Sequence, residues 1–248
     1  MAFSFDKTHH SVVIGSNGAI GSACVKALKK SGANVFEIDL IKPNNHSPEN
    51  FIKCDITNFE DIRECSNKIN KIDSLIYTAG INYDANIIDI DWKKYRKVMS
   101  VNLDGAFKIA SIFGKKMMKN NAGSFVFFSS MAGLKGEAGA SVYCASKFGL
   151  IGFVESFAAE MTSFNVRVNA VCPGNVDSPM LKQVASAIAL RNKLKDDDVL
   201  NDMTFAGAAK RLVDVNEVAN LAIYLCSNLS SGITGSILKV DCGASLDA

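Results

Sequence analysis

The sequence lacks both a strong charge imbalance and a long apolar run. It holds 27 Lys and Arg against 25 Asp and Glu, a formal net charge of +2, which gives no reason to expect nucleic acid or an anionic membrane surface as a partner. No apolar run reaches the length of about eighteen residues that spans a bilayer, and the stretch from Met1 to His10 lacks the apolar segment of a signal peptide. We therefore expect a cytoplasmic protein that binds neither nucleic acid nor a membrane.

The cysteines and histidines lack the spacing of a disulfide framework or a metal site. The seven cysteines are an odd number and form no C-x-x-C pair. The three histidines, His9, His10 and His46, have no partner at metal-ligand spacing. We therefore expect reduced thiols and no bound metal.

Internal repeats, low-complexity segments and linkers are also missing, so we predict one domain over residues 1–248. The candidate strands are rich in Val, Ile and Phe, as expected for strands covered on both faces. They are Ser11–Gly15, Asn34–Ile38, Phe51–Cys54, Ser74–Thr78, Ser124–Ser129, Arg167–Val171 and Ser236–Val240. Helical patterns alternate with them at Ala19–Lys30, Phe59–Asn70, Trp92–Asn120, Ser141–Phe164 and Val215–Asn228. This order predicts an α/β fold, a doubly wound parallel sheet of the Rossmann type with helices on both faces.

A tyrosine and a lysine, Tyr143 and Lys147, lie four residues apart on a predicted helix, and Ser130 precedes the tyrosine by thirteen residues. Residues i and i+4 share one helix face, so the hydroxyl and the ammonium can meet in one pocket. A nearby cation lowers the pKa of a phenol from about 10, which would make Tyr143 a usable acid or base. The serine could hold a substrate oxygen beside it. The alternative is an aromatic residue and a charge on an ordinary helix face.

A glycine-rich loop, Gly15 to Gly21, follows the first strand and opens the first helix. Glycines there allow a tight turn and let backbone N–H groups approach a pyrophosphate. Asp39 ends the second strand, the position of an acidic residue that binds the adenosine ribose and repels a 2′-phosphate. We therefore expect NAD rather than NADP, although the nearby Lys42 keeps a phosphate possible.

Together these motifs resemble the short-chain dehydrogenase/reductase family over nearly the whole chain. The matching segments are Ile14–Gly21, Cys54–Thr57, Thr78–Gly80, Val101–Gly105, Ser129–Ser130, Tyr143–Lys147, Asn169–Gly174, Ile233–Gly235 and Val240–Gly243. The resemblance implies hydride transfer between nicotinamide and a secondary alcohol or ketone. In it Tyr143 is the general acid or base, Lys147 lowers its pKa, and Ser130 orients the substrate oxygen. Asn102 would position a water that links Lys147 to solvent.

The resemblance also implies the residues that bind the cofactor. They are Gly15, Ser16, Asn17, Ala19, Ile20, Asp39, Asp55, Ile56, Ala79, Gly80, Tyr143, Lys147, Pro173, Gly174 and Val176. Relatives in the family pair their long helices across a two-fold axis, which implies a homotetramer or homodimer.

The chain departs from the family pattern at four places, the first of which is Ile14 in place of the usual threonine. Ala19 stands where the middle glycine of the loop is expected, and Thr78 replaces an asparagine that ties neighbouring strands, so that bond is expected to be made differently. The stretch from Asp39 to Asp73 is trimmed, which predicts a short or missing helix before Phe51.

The segment Asn175–Ala209 has poor strand–helix rhythm. It follows a strand end where α/β sheets bind ligands, which favours a mobile substrate lid. The alternative is a solvated loop with a helix. Glu137 precedes Tyr143 by six residues and could favour a hydroxylated or cationic substrate, or could simply be a surface residue.

Two other functions remain open at this point. An enzyme of this fold can use its bound nucleotide for epimerisation or elimination, and a non-catalytic member can bind NAD as a sensor. The identity of the substrate stays open among sugars, polyols, hydroxy acids, acyl thioesters, steroids and secondary-metabolite ketones.

Overall fold

The computed structural model describes residues 4–43 and 49–246, and within them seven parallel strands form one sheet. The strands are β1 (His10–Ile14), β2 (Asn34–Asp39), β3 (Phe51–Lys53), β4 (Ser74–Tyr77), β5 (Gly123–Phe128), β6 (Val166–Pro173) and β7 (Ile237–Val240). Their order in the sheet is β3-β2-β1-β4-β5-β6-β7. The order reverses between β1 and β4, and ligands of doubly wound sheets bind beside that point, at the carboxyl ends of the strands.

Helices cover both faces of the sheet. They are α1 (Ala19–Lys30), α2 (Phe59–Asn67), α3 (Trp92–Met99), α4 (Gly105–Asn120), α5 (Ser141–Met161), α6 (Pro179–Asn192), α7 (Asp196–Phe205) and α8 (Val215–Cys226). One core layer packs α2, α4 and α5 against the sheet, and the other packs α1 and α8. The predicted doubly wound α/β fold in one domain is confirmed.

Strand β1 shows why its sequence is a continuous apolar run. Successive side chains of a strand point to opposite faces of the sheet. Val12 and Ile14 lie in the layer with α2, α4 and α5, whereas Val13 lies in the layer with α1 and α8. All three are fully buried, as expected for a strand with helices on both sides.

The predicted helix Trp92–Asn120 is wrong in one respect, because a turn of π-helix over Ser100–Asp104 separates α3 from α4. The buried hydroxyl of Tyr77 donates a hydrogen bond of 2.5 Å to the carbonyl oxygen of Val101 in this turn. The π-turn thus is tied to the end of β4.

Other predicted bounds differ by a few residues. Helix α2 ends at Asn67 rather than Asn70, α5 ends at Met161 before a 3₁₀ turn to Phe164, and α8 ends at Cys226. The prediction of a short or missing helix before Phe51 falls partly on residues 44–48, which lie outside the described residues. The described residues beside them, 40–43 and 49–50, contain no helix.

The helical segment Ser141–Phe164 is long and apolar enough to cross a membrane, with a mean hydropathy of 1.2 over its most apolar window. Half of that window is buried inside the protein. Leu150 and Val154 lie in the core layer with α2 and α4. Core packing therefore accounts for the apolar character of this helix.

Candidate active site

Two cavities lie at the carboxyl ends of the strands. The first, of about 250 Å³, collects predicted cofactor-binding residues from four separate segments: Gly15, Asp39, Asp55, Ile56, Ala79 and Gly80. The second, of about 190 Å³, collects Ile20, Ser130, Tyr143, Pro173, Gly174 and Val176. The fold thus gathers residues that are far apart in the sequence around one crevice.

The glycine loop approaches neighbouring backbone too closely for side chains at two positions. Gly15 has a φ of +81°, and a Cβ on it would lie 2.7 Å from the amide nitrogen of Ala79. A Cβ on Gly21 would lie 2.1 Å from the carbonyl oxygen of Gly15. Ala19, which replaces a family glycine, begins α1 without any such conflict.

The N-terminus of α1 is suited to a phosphate group. Gly18 is its N-cap, and among the described residues no side chain caps this first turn. Unpaired N–H groups at a helix N-terminus bind anions, and the helix dipole adds to the attraction. The Ser16 hydroxyl nearby is buried, with no hydrogen-bond partner in the described part of the chain. These features fit the pyrophosphate of a dinucleotide.

Asp39 is held at the mouth of this loop. Its carboxylate accepts hydrogen bonds from the backbone N–H of Asn17 at 3.0 Å and of Ile41 at 3.3 Å. The Asn17 side chain in turn donates to the carbonyl oxygen of Ile41. Asp39 is partly buried and lines the first cavity, where its carboxylate can accept bonds from ribose hydroxyls.

Asp55 lies on the far side of the first cavity. One carboxylate oxygen accepts bonds from the Thr57 N–H at 2.8 Å and the Thr57 hydroxyl at 2.7 Å. The bond from the Thr57 side chain is the main cause of the lowered pKa of Asp55. The side chain is therefore ionised at neutral pH and fixed in orientation.

Thr78 joins β4 to the glycine loop. Its hydroxyl lies 2.8 Å from the carbonyl oxygen of Ile14 and 3.1 Å from that of Gly15. A bond between neighbouring strands is therefore made by threonine at the position where the family has asparagine. The bond fixes the start of the loop against the segment that continues into Ala79 and Gly80.

Asn102 lies in the π-turn and is fully buried. Its amide oxygen accepts from the N–H of Ile81 at 2.9 Å, and its amide nitrogen donates to the Ile81 carbonyl at 3.0 Å. The nitrogen also lies 3.0 Å from the Ser146 hydroxyl on α5. Asn102 thus links its own π-turn to the segment after β4 and to α5.

Ser130 and Tyr143 meet at the second cavity. The Ser130 hydroxyl oxygen accepts from the N–H of Ala132 at 3.2 Å, which fixes the turn after β5. Burial raises the pKa of Tyr143 to about 12, and a hydrogen bond with Ser130 opposes that rise. The serine and the phenol therefore lie on the wall of the same cavity.

Lys147 is buried, and its ammonium donates to the carbonyl oxygen of Phe128 at 2.7 Å. It lies 5.6 Å from the centre of the Tyr143 ring. Burial lowers the pKa of Lys147 to about 8. Burial has the largest effect on the pKa of the phenol, and a lowering of that pKa by Lys147 stays a prediction.

Gly174 and the segment around it close the crevice on the side of β6. A Cβ on Gly174 would lie 2.9 Å from the Cα of Asp241, so the backbones of these two segments pack directly together. Pro173 and Val176 flank it on the cavity wall. The segment and Tyr143 therefore line the same cavity.

The segment Asn175–Ala209 folds mainly into α6 and α7. Its apolar side chains Met180, Leu181, Val184, Ile188 and Met203 line the second cavity. The segment therefore covers this cavity rather than forming a solvated loop.

Two polar residues of the second cavity, Asn82 and Asp84, escaped the sequence analysis. Their position just after the end of β4 was the available signal, since strand ends of such sheets border ligands. Within the described residues, no group of three or more His, Cys, Asp and Glu could hold a metal. His46 lies outside those residues.

Comparisons with known proteins agree with this geometry. The family model described as enoyl-(acyl carrier protein) reductase matches residues 14–245. The 3-oxoacyl-[acyl-carrier-protein] reductase of Rickettsia bellii is 33% identical, with 94% of this chain and 95% of the relative covered. The dehydrogenase/reductase SDR family member 6 of Aquarana catesbeiana is 30% identical, with 95% and 97% covered.

Solved structures give the same result. The aldohexose dehydrogenase of Thermoplasma acidophilum is 26% identical with a TM-score of 0.89, over 100% of this chain and 98% of that one. A xylitol dehydrogenase solved with NAD⁺ is 25% identical with a TM-score of 0.88, over 97% and 99%.

The fold and the crevice define a nicotinamide-dinucleotide-binding oxidoreductase class. With the sequence matches, the chain belongs to the short-chain dehydrogenase/reductase family.

Proposed function

We propose that the chain transfers hydride between NAD and a secondary alcohol or ketone. The observation that carries this proposal is that Ser130 and Tyr143 line one cavity while the Lys147 ammonium lies 5.6 Å from the centre of the Tyr143 ring. Relatives named as reductases and dehydrogenases interconvert alcohols and carbonyls, which supports the same reaction class. The nicotinamide would supply or accept the hydride.

Tyr143 moves the proton. Its hydroxyl gives a proton to the substrate oxygen during carbonyl reduction and removes one during alcohol oxidation. A phenol with a pKa of about 12 carries its proton at neutral pH, as carbonyl reduction requires, and a nearby positive charge would make it both a stronger acid and a usable base. Lys147 is the cation within reach, and it would also hold the nicotinamide ribose.

Ser130 positions the substrate oxygen. Its hydroxyl and that of Tyr143 border the same cavity, so an oxygen bound to both would stand in the path of proton transfer. A donor aimed at the developing alkoxide stabilises it. Asn102 acts by holding Ile81 and Ser146 in place beside this site, and the water it would position links Lys147 to solvent.

NAD is the proposed cofactor. The Asp39 carboxylate stands where a 2′-phosphate would bring additional negative charge, and like charges repel. Lys97 lines the first cavity, and Lys42 lines a separate pocket together with Asp39. These two lysines would bind a 2′-phosphate if NADP were the cofactor. A direct comparison of NAD and NADP decides between the two cofactors.

We propose that residues 1–248 form one domain, with residues 175–209 as its substrate lid. We also propose that the protein is cytoplasmic and assembles as a homotetramer or homodimer. Phe107 on α4 and Phe148 on α5 are 51% and 46% exposed, and burial of such rings against a second copy would stabilise an oligomer. Light scattering of the purified chain measures its mass.

The test of the function is an assay of the purified chain with NAD or NADP and a panel of polyols, hydroxy acids and aliphatic alcohols. The reverse reaction is assayed with ketones and a 3-oxoacyl thioester. Formation or loss of reduced nicotinamide supports the proposal. A product with inverted configuration or with water eliminated, formed without net change in nicotinamide, would indicate an epimerase or a dehydratase. Tight NAD binding with no reaction on any compound would indicate a non-catalytic sensor.

A further inference from the structure

The second cavity has an acidic wall opposite its apolar lid. Two loops form this wall, residues 82–85 after β4 and residues 137–140 before α5. The N–H of Ala85 donates to the carbonyl oxygen of Gly139 at 2.8 Å, so the loops are joined. Asp84 and Glu137, one from each loop, line the same cavity as Tyr143.

Asp84 is partly buried and retains hydrogen-bonding capacity. Its Oδ2 accepts a bond from the side-chain amide of Asn82, and within the described residues its Oδ1 accepts no hydrogen bond. Burial raises the pKa of Asp84, with Asn82 and then Arg191 opposing the rise. The free oxygen can accept a bond from a ligand.

Glu137 lies at the rim of the cavity and is more exposed. In the described part of the chain its carboxylate makes no hydrogen bond or salt bridge. Burial of part of the side chain raises its pKa, and the negative charge of Asp84 adds to that rise. The two carboxylates therefore lie close enough to act on each other.

The nearest cation, Arg191 of α6, does not neutralise this wall by direct pairing. Its guanidinium packs against Gly139 and donates to the carbonyl oxygen of Ala138 at 3.2 Å. In the described residues it forms no salt bridge with either acid. The wall therefore presents two acceptors with a net negative charge.

Resting on the proposed function, we propose that Asp84 and Glu137 bind hydroxyl groups of an uncharged polyhydroxylated substrate and exclude anionic ones. Hydroxyl donors form charge-assisted bonds to carboxylates, which are stronger than bonds between neutral groups. A carboxylate on the substrate would meet like charge in a poorly solvated site. This repulsion would weaken the binding of anionic substrates relative to uncharged ones. The acidic wall would thus select among alcohols that Tyr143 alone cannot distinguish.

The test measures binding to the full chain saturated with NADH, using the change in NADH fluorescence as xylitol or 3-hydroxybutyrate is added. We expect xylitol to bind at least about tenfold more tightly, the effect of one charge-assisted hydrogen bond. Equal or tighter binding of 3-hydroxybutyrate would overturn the proposal, and so would the absence of binding by xylitol, glucose and glycerol.

Two variants and one control test the residues themselves. Asp84→Asn and Glu137→Gln should each weaken xylitol binding and strengthen 3-hydroxybutyrate binding, by about tenfold for Asp84 and about threefold for the more exposed Glu137. Asp89→Asn, an exposed acid outside the cavity, should change neither. An unchanged preference in both cavity variants would refute the roles of these acids.

Because this measurement needs binding alone, its failure is separate from failure of the proposed function. Turnover with an unaltered preference would contradict the acidic wall while leaving the oxidoreductase intact. A selective shift in binding without turnover on any compound would contradict the reaction and leave the wall's specificity supported.

Discussion

The Lys147 ammonium lies 5.6 Å from the centre of the Tyr143 ring and donates its hydrogen bond to the carbonyl oxygen of Phe128 instead. Both side chains share the i, i+4 face of α5, as the sequence predicts. Burial raises the pKa of Tyr143 and lowers that of Lys147. Both shifts are opposite to those expected for a directly paired phenolate and ammonium. The two side chains lie close together, and burial favours the neutral form of each.

The buried Lys147 should make stability depend on pH. Its pKa is about 8 in the folded chain against a usual value of 10.5. Between these values the unfolded chain binds more protons than the folded one, so the free energy of unfolding rises as pH rises. Lys147→Met should remove that rise between about pH 8 and pH 10.5 and stabilise the fold by about 2 kcal/mol at neutral pH.

Urea unfolding at several pH values measures both effects. The exposed Lys119→Met serves as the matched control and should leave the pH dependence unchanged. A rise with pH that persists in Lys147→Met would assign the effect to another group.

Asp39 should set the preference between NAD and NADP. Asp39→Asn keeps an oxygen for the Asn17 N–H but removes the negative charge. We expect NAD to bind about tenfold more weakly, because charge-assisted bonds to the ribose are lost, while NADP binds as well as before or better. Asp39→Ala should weaken NAD further, and again much more than NADP. Calorimetric titration with each cofactor checks this, and an equal loss for both would refute the ribose role.

The glycine loop provides a steric prediction with an internal control. A Cβ on Gly21 would overlap the carbonyl oxygen of Gly15, whereas a Cβ on Gly18 would lie at an acceptable 3.4 Å from the same atom. Gly21→Ala should therefore destabilise the fold by about 3 kcal/mol or more and disturb the phosphate-binding turn. Gly18→Ala should cost less than about 1 kcal/mol. Thermal unfolding with and without NADH compares the two, and similar losses would contradict the packing of this loop.

Asn102 should affect stability and turnover together. Asn102→Ala leaves the N–H and carbonyl of Ile81 without their partners in a buried place, at a cost of about 2–4 kcal/mol. Turnover should also fall, because Ile81 follows Gly80, whose Cβ position lies 3.4 Å from the Lys147 ammonium. Asn120→Ala on the exposed end of α4 is the control. Normal turnover per folded molecule in Asn102→Ala would limit this residue to a structural role.

Most of the fold was predictable from the alternation of strands and helices. Strands such as Val12 to Ile14 are apolar on both faces, and this pattern allows few other interpretations. The break within Trp92–Asn120 was not predictable in the same way. The π-turn depends on a tertiary hydrogen bond from Tyr77 to Val101, and no local residue pattern reports such a contact.

The candidate site was likewise predictable only in part from the sequence. Ser130, Tyr143 and Lys147 were recognisable because their spacing combines with the glycine loop. The direction in which the Lys147 ammonium points depends on the Phe128 carbonyl of a neighbouring strand, which the sequence does not place. Asp84 escaped notice because its loop has no motif, and only the bond from Ala85 to Gly139 brings it beside Glu137.

The most direct test of the hydride-transfer proposal is turnover by Tyr143→Phe, measured with the substrate and cofactor that the panel identifies. Loss of the phenol hydroxyl should lower kcat by at least about a hundredfold, while NADH binding stays within about threefold of the original. Tyr224→Phe on α8, a tyrosine outside both cavities, should keep full activity. Turnover by Tyr143→Phe equal to that of the original chain would contradict the assignment of Tyr143 as the proton donor and acceptor.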